Sequence, residues 1–122
     1  MQKPSSTTVK IFSVNKDRVM KLIRHRFKQL AEKHHEIKKI ILFGSYVTEK
    51  YSPFSDVDIL LILSDSDYKF LDRIPRYIPD DLTVPVDVFP YTVGEIEALL
   101  NQDNYFIKRA LSEGEILFDR QT

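Results

Sequence analysis

Apolar residues recur at steps of three and four between positions 15 and 35, at Val19, Ile23, Phe27, Leu30 and Ala31, with lysine, arginine and glutamine between them. That spacing predicts an amphipathic helix with one buried stripe. Asn15 is its candidate N-cap, and the polar His34-His35-Glu36 ends the pattern. The period then shortens. Residues 37–43 form a β-branched run that stops at Gly44-Ser45, as a buried strand does at a glycine turn. A second strand is expected over 57–63, and Pro85 opens a third at Val86-Asp87-Val88-Phe89. Between these two, Tyr68, Leu71, Ile74 and Ile78 have helical spacing interrupted by Pro75 and Pro79, which predicts a short, irregular helix over 67–77.

Thr92 with Glu95 three residues on reads as a capping box, and Ile96, Leu99 and Leu100 supply the buried side of the helix it starts. Another helix is expected over 104–112, ending near Gly114, with Ile116-Leu117-Phe118 as a closing edge strand. Strands alternate with helices, with no repeat and no internal linker. The expectation is therefore an α/β fold, a mixed sheet flanked by helices in a single domain over 15–122, preceded by a flexible tail over 1–14.

Length and composition agree with one compact core: 122 residues, 43% of them hydrophobic. No apolar run reaches the length of a bilayer span, and the first residues carry no apolar segment after their charge, so the sequence predicts a soluble, cytoplasmic protein. Without cysteine, any metal must be held by oxygen or imidazole ligands, which favours hard ions such as magnesium. The zero net charge hides a split. Residues 1–50 hold 12 Lys/Arg against 4 Asp/Glu, and residues 51–122 hold 6 against 14, giving halves of +8 and −8. The simplest consequence is that the two segments intermix their charges once folded. The basic positions Lys21, Arg24, Arg26 and Lys28 have no interleaved aromatic platform, which argues against nucleic acid as a direct partner. His25, His34 and His35 read as solvated helix residues.

Chemistry concentrates between residues 44 and 58 and at residue 87. In Asp56-Val57-Asp58 alternation sends both carboxylates to one face while Val57 and Ile59 enter the core. Two converging carboxylates repel one another unless a cation lies between them, and a divalent ion with oxygen ligands is the natural neutraliser. Asp87, between Val86 and Val88, is an acid on a strand whose neighbours belong inside. If its strand pairs beside 57–63, it completes a three-carboxylate cluster able to hold two ions. At Gly44-Ser45 a glycine turn lets backbone N–H groups and a hydroxyl approach phosphate oxygens. Tyr46 and Tyr51, which flank this loop, are placed either to stack on a base or to pack beneath it.

Gly44-Ser45, ten residues, Asp56-Val57-Asp58 on a strand and Asp87 on a later strand together resemble the minimal nucleotidyltransferases of the DNA polymerase β superfamily. The resemblance extends from about Ile37 to Phe118. It implies the polymerase β-like nucleotidyltransferase fold, with Asp56, Asp58 and Asp87 as catalytic, metal-binding residues around two Mg²⁺ ions. ATP would be the donor, held by Gly44 and Ser45. The family pattern continues after Gly-Ser with a small residue, Arg or Lys, then Gly. This chain has Val47-Thr48-Glu49 instead, which leaves Lys50 as the candidate phosphate-binding cation. The resemblance further implies transfer of AMP onto an acceptor hydroxyl, a tyrosine of a partner HEPN toxin, in an antitoxin role. Homo-oligomerisation stays open. The alternatives are a small-molecule, antibiotic-type nucleotidyltransferase, or an inactive module that binds a nucleotide or partner.

Overall fold

The computed structural model describes residues 5–44, 57–82 and 84–120, with side chains from residue 16 onward. Helix α1 (Ser5–Lys33) leads into strand β1 (Ile37–Phe43), followed by β2 (Val57–Leu63). Helix α2 (Phe70–Arg73) continues into a 3-10 helix, Ile74–Tyr77, at the Pro75 that breaks the α-helical ladder. Then come β3 (Val86–Thr92), α3 (Val93–Asn101), α4 (Tyr105–Glu113) and β4 (Glu115–Asp119). The four strands lie in the order β3-β2-β1-β4. β1 runs antiparallel to β2 and β4, whereas β2 and β3 are parallel, so the sheet is mixed, as expected.

Each face of the sheet has its own core. α1 lays Ile23, Phe27 and Ala31, all fully buried, against Ile40, Leu42, Val57, Ile59 and Leu61. On the other face α3 and α4 bring Ile96, Ile107 and Ala110 onto Ile41, Phe43 and Leu60. Neighbouring residues of a strand thus divide between the two cores, as the pleat requires. Among the described residues no helix is long and apolar enough to cross a membrane.

Two elements differ from the sequence reading. α1 begins at Ser5, so residues 5–14, expected as flexible tail, are helical and Asn15 lies inside the helix instead of capping it. No glycine or proline separates Ser5 from Asn15, and an interior asparagine costs only about 0.7 kcal/mol relative to alanine, too little to stop a helix. Residues 1–4 lie outside the described residues. The other difference is β3, which continues past Phe89 through Pro90 to Thr92. Proline is tolerated there because β3 is an edge strand, where no second neighbour requires its missing N–H. The Pro90 carbonyl accepts a hydrogen bond from Arg73 Nη1 at 2.9 Å, so a side chain from the crossover covers this edge.

The predicted capping box of α3 is present, and α4 has an N-cap as well. Thr92 Oγ1 accepts from Glu95 N at 3.2 Å while the Glu95 carboxylate accepts from Thr92 N at 2.9 Å, and Asn104 Oδ1 caps Ile107 N at 2.9 Å. The charge halves intermix through β4, where Arg24 of α1 pairs with Glu115 and Lys39 of β1 with Asp119 at 3.9 Å.

Candidate active site at the rim of the sheet

The parallel pairing of β2 with β3 sets Asp58 opposite Asp87, the relation the sequence reading needed in order to bring Asp87 to the acidic pair. In the antiparallel direction Asp58 is matched with Phe43, the residue before Gly44. Register partners share a face, so Asp87, Asp58 and Phe43 form one row across three strands at the end where β1 stops and β2 begins. The next row inward holds Phe89, Leu60 and Ile41, which belong to the α3–α4 core. The carboxylates therefore stand at the rim of that face, one step beyond the apolar interior. Asp58 is half-buried and Asp87 exposed.

Gly44 closes the row. Its φ is +86°, in the left-handed region, and a Cβ placed on it would lie 2.4 Å from Asp58 Oδ2. Only glycine permits both this turn and this approach of backbone to carboxylate. Thus the glycine read from sequence as a phosphate-loop residue also leaves the room in which the Asp58 carboxylate lies against the turn.

An apolar wall flanks the acids and was not foreseen. Phe43, Phe89 and Phe106 form an aromatic trio with ring centroids 5.0–5.8 Å apart, and Phe106 keeps 38% of its surface exposed. Alternation alone places Phe89, two residues after Asp87, on the carboxylate face. Phe106 carries no local signal, because it arrives from α4. Such a wall lowers the local dielectric beside the acids and offers a flat surface to a planar group.

Of the other sequence candidates, Ser45, Lys50 and Asp56 lie outside the described residues, as do Tyr46, Tyr51 and the Val47-Thr48-Glu49 segment. The three-carboxylate cluster is accordingly described for two members, and among the described residues no group of three or more His, Asp or Glu is placed to hold a metal. The histidines behave as ordinary structural or surface groups: His25 and His35 are exposed, and His34 packs edge-on to Tyr77 at 5.1 Å with Glu36 3.4 Å away.

A second polar centre lies at the opposite end of β3 from the acids. Arg73, 5% exposed, makes a paired contact to Glu95 (Nη1 to Oε1, 2.7 Å; Nη2 to Oε2, 3.0 Å) and donates to the carbonyls of Pro90 and Tyr68. The Arg73 guanidinium holds the Glu95 carboxyl below its ordinary value, against the opposing effect of burial, and the Thr92 N–H adds to the lowering. This ties the crossover after β2 to the end of β3 and to the start of α3.

The family model for polymerase beta nucleotidyltransferases matches residues 25–122. A protein of Methanocaldococcus jannaschii named "Putative protein adenylyltransferase" is 34% identical over 102 residues, which cover 80% of this chain and 96% of that protein. Among solved structures, a "putative nucleotidyltransferase" of Sulfolobus solfataricus superposes with a TM-score of 0.63 at 19% identity, over 89% of this chain and 87% of the other. A chain from a structure titled as a toxin-antitoxin with AMP-PNP superposes with a TM-score of 0.53 at 19% identity, over 80% and 74%. At such identities these two structures establish a common fold.

Proposed function

The chain belongs to the polymerase beta nucleotidyltransferase family, and from that membership we propose that this nucleotidyltransferase moves AMP from ATP onto the hydroxyl of a tyrosine in a partner HEPN toxin. The observation that carries the reading is the register of Asp58 with Asp87 beside Gly44, which places two acids and a glycine turn at one sheet rim. The name of the Methanocaldococcus relative supports protein adenylylation, and the toxin-antitoxin structure with AMP-PNP supports both an adenine nucleotide and a toxin partner.

The donor set fits divalent cations. Two carboxylates matched across neighbouring strands repel each other when ionised, and their hard oxygens suit Mg²⁺. Asp58 and Asp87 would hold two Mg²⁺ ions together with Asp56, the other carboxylate of the Asp56-Val57-Asp58 motif. When bound, these ions supply charge neutralisation for the triphosphate and for the departing pyrophosphate. Asp87, the exposed member, takes the proton of the acceptor hydroxyl. The acceptor oxygen then bonds to the α-phosphorus, the bond from that phosphorus to the bridging oxygen of the β-phosphate breaks, and pyrophosphate leaves. The Gly44-Ser45 turn and Lys50 grip the triphosphate, and the Phe43-Phe89-Phe106 wall keeps water from one side of the reacting groups.

Incubation with α-labelled ATP, Mg²⁺ and the protein that copurifies with the chain tests this reading. Label is expected on a tyrosine of that protein, and Asp58→Asn with Asp87→Asn should abolish it while leaving the circular dichroism spectrum unchanged. Label on a small molecule would redirect the activity to an antibiotic-type acceptor. Label on the partner that survives both substitutions would refute the site.

A further inference from the structure

On the face of the sheet away from Asp58 and Asp87, a cavity of about 370 Å³ opens between the C-terminal half of α1 and the segment that follows the 3-10 helix. Its volume is at the lower end of the ~300–1,000 Å³ common for small-molecule sites. Arg26 and Lys33 line it from α1, and Arg76, Asp80 and Asp81 from the other side. Among the described residues none of these five forms an ion pair, although five side chains of opposite sign surround a single space. Charges that could neutralise each other by closing the cavity are held apart across it.

Arg26 is the least satisfied of the group. Its Nη1 donates to Gln29 Oε1 at 3.2 Å, but its Nε is shut off from solvent and meets no acceptor among the described residues. A guanidinium N–H withdrawn from water without a partner is costly; because Nε is closed to solvent, an anion in the cavity would offset that cost through its charge on the guanidinium as a whole. Arg76 is fixed for the same purpose by stacking over the Tyr68 ring at 4.2 Å. Arginine forks match phosphate oxygens, whereas carboxylates accept from hydroxyls. Leu30 and Ile78 add apolar surface for a carbon skeleton.

We propose that this cavity is a second ligand site, separate from the carboxylate rim, for a small sugar phosphate. Arg26, Lys33 and Arg76 hold the phosphate, and Asp80 and Asp81 accept from the sugar hydroxyls. The inference stands on its own residues and does not depend on the transfer reaction.

Titration calorimetry of the full chain at low ionic strength, with ribose 5-phosphate, inorganic phosphate and ribose as probes, tests it. Ribose 5-phosphate should bind saturably and about tenfold or more tighter than inorganic phosphate, with no measurable heat from ribose. Arg26→Gln with Arg76→Gln should weaken ribose 5-phosphate by about tenfold or more. Asp80→Asn with Asp81→Asn should erase the advantage of the ester over inorganic phosphate. Lys33→Gln, at an exposed helix position, should give a smaller loss in the same direction and serves if the double arginine variant does not fold. Asp87→Asn should leave the affinity unchanged. The proposal is overturned if ribose 5-phosphate gives no saturable heat, if inorganic phosphate binds as tightly, if the arginine variant binds normally, or if Asp87→Asn removes binding.

Discussion

Gly44 shows how one residue can serve backbone and chemistry together. Its left-handed φ of +86° already penalises any side chain by about 1–2 kcal/mol, and the position of a Cβ 2.4 Å from Asp58 Oδ2 means that even a methyl group must push the carboxylate away. Gly44→Ala should therefore lower stability by roughly that amount in urea denaturation. It should lower the rate of AMP transfer by about 100-fold or more, since displacing a reacting group by an ångström has an effect of that order. A variant with reduced stability but full transfer rate would show that Asp58 does not act on the reacting groups. Sequence alone marks Gly44 as a turn. That its hydrogen faces Asp58 depends on the β1–β2 register, which pairs Phe43 with Asp58 and cannot be read from either strand alone.

Among the elements, those with strong periodicity were legible and those defined by their neighbours were not. β1 and β2 match the predicted 37–43 and 57–63 because each is a β-branched run, and α3 and α4 start where Thr92 and Asn104 cap them. β3 outlasts its apolar run because an edge position makes Pro90 acceptable, and edge status is a property of the whole sheet. The same limit applies to the site: Asp58 and Asp87 are candidates from their strands alone, whereas Phe106 joins Phe43 and Phe89 only through the packing of α4. The Arg73–Glu95 pair, which joins the crossover to the α3 cap, is another contact that needs the fold. Here Arg73 is buried while the Glu95 side chain remains 40% exposed, so water partly screens the pair. Glu95→Gln should cost about 1–2 kcal/mol at neutral pH, toward the lower end for charge-assisted contacts. Because Arg73 depresses the Glu95 pKa, this stabilisation is complete above the ordinary value of 4.5 and is lost as pH falls through the lower, folded value. Thermal melts of the two proteins should differ at pH 7 and converge in acid below 4.5. A constant difference across that range would mean that the pair is not what Glu95 contributes.

At the scale of the molecule, the sheet separates the α1 core from the face whose rim carries the acids. Phe27, fully buried in the α1 core, belongs to the first, and Asp87, exposed at the rim, to the second. Phe27→Ala should destabilise by about 3–5 kcal/mol, a large part of the roughly 5–15 kcal/mol available to a domain, yet the molecules that remain folded should keep their response to Mg²⁺. Asp87→Asn should do the reverse. It removes a like charge matched with Asp58, so in chelator the variant should be at least as stable as the parent, while the rise in melting temperature expected of the parent in Mg²⁺ should be absent. The two residues lie on different faces of the sheet, so the double variant should show the sum of the single effects to within about 0.5 kcal/mol. Melts of the four proteins in EDTA and in Mg²⁺ decide the matter. If Phe27→Ala also abolished the ion response while the protein remained folded, the two faces would be coupled through the sheet. The carboxylate row would then be held in place by the α1 core as well as by Gly44 and the β2–β3 register.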